Sequence, residues 1–135
     1  MRLIVILLFT IYPCLANINE KIDNLIPALI KIESGGDLNA IGDNGKAFGQ
    51  LQIWEIVIKD VNRVYKTNYK HKDAFYYYNS IEICVLYLNF WGKHYKRKTG
   101  NDPSLEVLSK IWNGGPFGYK KKSTNKYWIK VKKLL

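Results

Sequence analysis

The chain has 135 residues, 47% of them hydrophobic: room for one domain with its own core, and too little for several. The net charge of +10 excludes an acidic, cation-collecting protein and favours polyanionic partners such as nucleic acid, anionic lipid or bacterial wall polymer. The two cysteines are Cys14, in the N-terminal apolar segment, and Cys84; with that segment removed, a disulfide within the chain is excluded, and the scattered His71 and His94 give no metal-ligand spacing.

Met1-Arg2 precedes the apolar run Leu3 to Tyr12, and Pro13-Cys14-Leu15-Ala16 follows. A positive start, an apolar stretch and a small-residue end form the pattern of a secretory signal peptide with cleavage after Ala16. The run falls short of the roughly 20 apolar residues that span a bilayer, which leaves an uncleaved anchor as the competing reading. Pro13 argues against acylation of Cys14. The expectation is a leader over 1–16 and an exported domain over 17–135, found in the periplasm, the cell envelope or outside the cell.

The first helix of that domain is expected from Asp23 or Asn24, with Pro27 in its first turn. Leu25, Ala28, Leu29 and Ile32 recur at i, i+3, i+4 and i+7 and make one buried face. Ser34 ends the helix and Gly35-Gly36 terminates it. Residues 38–53, with Asp43-Asn44-Gly45 among them, read as a hairpin or looped β-ribbon. A second helix is expected over Trp54 to Tyr65, with Trp54, Val57, Ile58, Val61, Val64 and Tyr65 inward. Residues 66–78 read as a basic, aromatic loop. Asn79 and Glu82 have capping-box spacing ahead of a long helix that runs to about Lys98 and packs Ile81, Cys84, Val85, Leu88 and Trp91. Cys84 on that face reads as a small buried hydrophobe. Asp102-Pro103 opens a further helix with Leu105, Leu108, Ile111 and Trp112 inward, and Asn113-Gly114-Gly115-Pro116 closes it. A last helix from about Asn125 is expected to bury Tyr127 or Trp128, Val131 and Leu134. The fold class is α+β, mostly α, with a small β-ribbon and no second domain.

Glu33 is the residue with chemical promise. It sits in the last turn of an apolar helix, where the helix dipole disfavours its charged form. The glycine-dense segment after it can fold back to make a groove. A sheltered carboxyl of this kind has a raised pKa and can donate a proton near neutral pH.

Three blocks, in order, resemble the soluble lytic transglycosylase and goose-type lysozyme superfamily. Ile32-Glu33-Ser34-Gly35-Gly36 is similar to its catalytic Glu-Ser block. Gly45-Lys46-Ala47-Phe48-Gly49-Gln50-Leu51-Gln52-Ile53 is similar to its glycine-containing segment ending in Leu-Met-Gln. Ile111-Trp112-Asn113-Gly114-Gly115-Pro116 is similar to its Ala-Tyr-Asn-Ala-Gly block. The resemblance covers residues 22–135. Gln50 and Leu51 depart from the usual Leu and Met. Trp112 replaces the usual Tyr and its hydroxyl. Trp54 stands where goose-type lysozymes carry a further acid, although Gly42 to Gly49 otherwise looks closer to them than to most transglycosylases.

The resemblance implies a lysozyme-like domain, with the β-ribbon beside an active-site cleft, that cleaves the β-1,4 bond between N-acetylmuramic acid and N-acetylglucosamine without a cofactor or metal. Glu33 would be acid and then base, and 1,6-anhydro ends would form. Asp43 is the other candidate catalytic carboxylate, which would direct water and give hydrolysis; as a turn residue it needs no such role. Ser34, Gln52, Asn113, Gly114 and Tyr127 are candidate substrate-binding residues. Gln52 and Asn113 offer both donors and acceptors to sugar hydroxyl and acetamido groups, although Asn113 also suits a helix C-cap. Gly114 with Gly115 permits close backbone approach. Tyr127 resembles the family's late aromatic near the catalytic carboxyl, and helical spacing equally suits a core place. Phe48 and Trp112 suit either sugar stacking or the core.

The expected partner is the peptidoglycan strand, bound by a monomer, with electrostatic association of the lysine-rich tail with anionic wall polymers. No nucleic-acid module is recognisable. A reading from another class is a non-catalytic cationic protein that binds the wall or perturbs membranes.

Overall fold

A computed structural model describes residues 17–135; the expected leader, residues 1–16, lies outside the described residues. Helix α1 (Ile18–Glu33) starts earlier than its apolar spacing predicts, because the Asn17 side chain caps it through the Asn19 amide. Pro27 is therefore inside the helix, not in its first turn. It lies on the exposed face, where the carbonyl it leaves unpaired one turn back can meet water. Ile22, Leu25, Ile26 and Leu29 form the buried stripe. Glu33, four residues beyond Leu29, extends that stripe. Gly35 and Gly36 then adopt positive φ and turn the chain away.

Residues 41–54 form a three-stranded antiparallel sheet of two-residue strands: β1 (Ile41–Gly42), β2 (Ala47–Phe48) and β3 (Ile53–Trp54). Ile41 pairs with Phe48, and Phe48 in turn with Ile53. Asp43, Asn44 and Gly45 make the tight turn between the first two strands, all with positive φ. Trp54 belongs to β3 and is 41% exposed, contrary to its expected inward place on the next helix. That helix, α2 (Glu55–Tyr65), buries Ile58 and Val61.

The expected loop over 66–78 contains a 3-10 turn at His71–Phe75. Helix α3 (Tyr77–Thr99) begins before the expected capping box: the Ser80 amide bonds the Tyr76 carbonyl, which places Asn79 inside the first turn. Glu82 instead accepts the Tyr69 hydroxyl at 2.5 Å. Gly100 closes α3 in the left-handed conformation. Ser104, rather than Asp102-Pro103, caps α4 (Leu105–Gly114) by accepting the Val107 amide. Helix α5 (Asn125–Lys132) buries Val131, half-buries Tyr127 and Trp128, and ends before Leu134, which is exposed.

The protein is mostly helical with this one small antiparallel sheet among the described residues. Helix α1 packs against α3, α4 and α5, so its buried stripe meets Ile83, Cys84, Leu88, Leu108, Ile111 and Val131 in one core. No described helix is long and apolar enough to cross a membrane.

Candidate functional site

The C-terminal end of α1 is tied to the sheet and to α3 by side chains with buried or half-buried anchors. Ser34 Oγ donates to the Gln50 carbonyl at 2.9 Å and accepts the Gly36 amide. The buried Gln50 amide donates to Ser80 Oγ at 2.8 Å and to the Tyr77 carbonyl. Ser80 Oγ in turn donates a hydrogen bond to that carbonyl at 2.8 Å. These bonds run without a break from Ser34 through Gln50 to Ser80 and Tyr77, which gives the loop one position relative to α1. Ser34 thus holds the loop beside Glu33; it does not line the cleft.

The cleft has a volume of about 260 Å³ and is walled by the sheet and four helices. Glu33 comes from α1, Asp43 and Gln52 from the sheet and its turns, Ile53 and Trp54 from β3, Ile56 and Val57 from α2, Tyr87 from α3, and Trp112, Asn113 and Gly115 from the end of α4. Its walls are mixed, with aliphatic and aromatic surfaces alternating with amide and carboxyl groups.

Burial pushes the Glu33 carboxyl up to about 7 from an ordinary 4.5. The Tyr127 hydroxyl, which donates to Glu33 Oε1 at 2.6 Å, pulls the other way because it stabilises the anion. The charge of Asp43 raises the pKa further, and the Trp112 indole lowers it. Burial and the nearby carboxylate also raise the Tyr127 pKa, so its hydroxyl keeps its proton and remains a donor. The result is a carboxyl half protonated near neutrality with a fixed orientation. Such a group can give up a proton and take one back.

Tyr127→Phe is expected to raise the Glu33 pKa further, because the lost hydrogen bond is stronger to the carboxylate than to the neutral acid. The alkaline limb of any reaction that uses Glu33 as an acid should then move up by about one pH unit. A pH–rate profile with an unmoved or acid-shifted limb rejects this role for Tyr127.

Asp43 is exposed at the rim, and its Oδ2 accepts the Trp54 indole N–H at 3.0 Å. Gln52 has a positive φ and donates its amide to the Gly49 and Ala40 carbonyls at 2.9 and 3.3 Å. Its Oε1 lies over Gly42, where an added Cβ would stand 2.1 Å away. Asn113 is exposed in the last turn of α4, with Gly115 at the C-cap position, so its side chain is not consumed in ending the helix. Gly114 faces away from the cleft lining: a Cβ there would meet Thr124 at 2.6 Å, and its carbonyl accepts Lys121 Nζ. Close approach at this block belongs to Gly115, which lines the cleft at φ +83° with open space around it.

Phe48 stacks on His71 and Phe75, with centroids 3.8 and 4.7 Å away, and does not line the cleft, whereas Trp112 does. Trp112 packs edge-on against Tyr87 at 5.9 Å. Sequence reasoning passed over Tyr87 and Ile56. Tyr87 lies three residues after Cys84 on the buried face of α3, a spacing that signals core and carries no mark of a cleft wall.

No protein-family model and no curated protein matches this chain. The functional reading therefore rests on the cleft and on the three sequence blocks that converge there: Glu33, Gln52 and Asn113 reach it from distant parts of the chain.

Proposed function

We propose that the protein is a lysozyme-like muramidase of the lytic transglycosylase type. The carrying observation is Glu33, sheltered enough to hold a proton near pH 7, held by Tyr127 and flanked in one cleft by Gln52 and Asn113. Protonated Glu33 would donate to the glycosidic oxygen as the bond to the anomeric carbon breaks. The leaving sugar departs with a new 4-hydroxyl. The acetamido oxygen of the muramic acid residue would stabilise the positive carbon. The Glu33 carboxylate would then take the 6-hydroxyl proton as that oxygen closes on the anomeric carbon, giving a 1,6-anhydro end. The same side chain is restored to its protonated form, so no cofactor enters the cycle.

Gln52 would contribute its Oε1, since its amide hydrogens are engaged by backbone carbonyls. Asn113 would contribute both amide functions. The aromatic edge of Trp112 and the ring of Trp54 would flank the sugar faces.

Hydrolysis is the second reading, favoured by the lining of one cleft by both Glu33 and Asp43. The indole bond to Asp43 supports a rim-shaping role instead. Mass spectrometry of a peptidoglycan digest separates the two, because an anhydro end is lighter by one water than a reducing end. The expected result is anhydro ends from the native protein, and from Asp43→Asn at a rate reduced by less than about tenfold. Reducing ends that vanish with Asp43→Asn would assign hydrolysis.

Partner attraction follows the charge distribution. Beyond Glu82 the only acids are Asp102 and Glu106, against twelve lysines and arginines, while the two signs balance up to that residue. Tyr95 and Tyr119 pack edge-to-face at 4.8 Å, which brings the basic end of α3 beside the Lys120–Lys122 segment. This half of an exported monomer would hold to anionic wall polymers through long-range attraction.

A further inference from the structure

Next to the cleft lies a second hollow, of about 460 Å³, on the far side of Trp54. Trp54 and Ile56 line both, so the two are continuous across that ridge. Trp54 is 41% and Ile56 63% exposed, large apolar surfaces open to solvent. The ridge is firmly built. The Trp54 indole N–H is held by Asp43, Lys46 Nζ lies 5.8 Å from the ring centroid, and His71 fastens β3 from below through its Nε2 contact of 2.7 Å with the Ile53 carbonyl.

The chemistry changes across the ridge. The first hollow contains the carboxyl groups of Glu33 and Asp43. The second contains Lys46, Lys59 and His71, with Glu55 as its one acid. Lys46 forms no ion pair among the described residues, and Lys59 only a long, exposed contact of 3.7 Å with Glu55. An exposed pair of that length holds its partners weakly, so an incoming carboxylate can take Lys59 at little cost.

We propose that this hollow binds the carboxylate-bearing peptide of the sugar strand, with Lys46 and Lys59 as the residues that select peptide-substituted over bare glycan. The inference rests on the muramidase reading of the cleft. Where a peptide is attached, the carboxyl of the muramic acid's substituent is consumed as an amide, so the sugars are neutral and the negative charge resides on the peptide; where the peptide is cut off, one carboxylate remains, close to the sugar ring and short of this hollow. A strand seated at Glu33 places such a substituent within one or two sugars of the Trp54 ridge. There the ring and Ile56 offer apolar cover for the peptide stem, and the two lysines receive its carboxylates.

The test is turnover of soluble peptidoglycan strands with their peptides and of the same strands after the peptides are cut off, by the native protein and by the double variant Lys46→Ala/Lys59→Ala. Both side chains are exposed, and unfolding curves of the variant should match those of the native chain. The expected result is a loss of roughly tenfold in kcat/KM on peptide-bearing strands and less than about twofold on trimmed ones, with the difference fading at high salt. Equal loss on both strands, or none on either, overturns the peptide site while leaving the cleft reading intact. Failure of the native protein to cut either strand overturns the cleft reading, and this inference falls with it.

Discussion

Glu33→Gln is expected to lose turnover by about a thousandfold or more and, at the same time, to become the more stable protein above pH 7. The first effect follows from removing the one group that both gives and takes a proton in the proposed reaction. The second follows from where Glu33 ionises. In the unfolded chain its carboxyl loses its proton around 4.5, in the folded protein around 7. Below both values the proton is bound in both states, and Glu33 contributes no pH-dependent difference. Between them the unfolded state releases a proton that the folded state retains, so native stability falls as pH rises through this window. Above it the native protein carries the full penalty, about 3 kcal/mol from the size of the shift. Glutamine has nearly the same shape, can still accept the Tyr127 hydrogen bond and does not titrate, so it escapes the penalty.

Urea unfolding at pH 4 and at pH 8 measures this directly. The two proteins should nearly coincide at the lower pH and separate at the higher. A variant that still lyses walls at the native rate would reject the catalytic role and favour a cationic, non-catalytic protein. A variant inactive at pH 8 yet no more stable there would show that Glu33 is far better solvated than its surroundings in the cleft imply.

Gly49→Ala is expected to destabilise the fold by about 3 kcal/mol or more and to take the cleft with it. Gly49 has φ +74°, a conformation that an L side chain pays to adopt. An added Cβ would also stand 2.0 Å from the Ala74 carbonyl oxygen and 2.8 Å from its carbon. Both are backbone atoms of the 3-10 turn at His71–Phe75, so no side chain can swing aside. The turn would have to withdraw from β2, and Phe48 would lose its stacking on His71 and Phe75. Gly49 also bonds the Ala40 carbonyl through its amide and holds both the amide and the side chain of Gln52 through its carbonyl.

Gly45→Ala separates the two causes. Gly45 has φ +82° with nothing within 4 Å of an added Cβ, so it should cost only the conformational penalty, about 1 kcal/mol. Equal midpoints for the two variants would reject the close backbone approach as the reason that Gly49 is glycine.

The helical part of the fold was legible in the sequence because a 3.6-residue apolar period and a terminating glycine act locally. Gly35 and Gly36 follow the end of α1 where the spacing predicts, and α3 ends at Thr99, one residue past the expected Lys98. The starts were less legible. Asn17 caps α1 from outside the apolar period, and the Asn79-to-Glu82 spacing is overridden because the Tyr76 carbonyl already bonds Ser80. Within the cleft, Glu33, Gln52 and Asn113 were marked by glycine-rich blocks, and the structure brings them together. Trp54, Tyr87 and Ile56 carried no such mark. Their place on the cleft wall depends on what the neighbouring elements leave uncovered, which no local spacing records.

Sequence by itself determined a mostly helical fold, the small ribbon after α1 and the uneven charge, because these depend on residue type and short-range spacing. It also placed one glutamate on an apolar stripe. Tertiary structure decided the protonation behaviour of that glutamate and the division of labour around it. Tyr127 is 94 positions away in sequence from Glu33 and 2.6 Å away in space. Ser34, adjacent in sequence, spends its hydroxyl on Gln50 instead. Desolvation and hydrogen bonding are sums over every atom nearby, and that neighbourhood exists only once α1, α4, α5 and the sheet have packed.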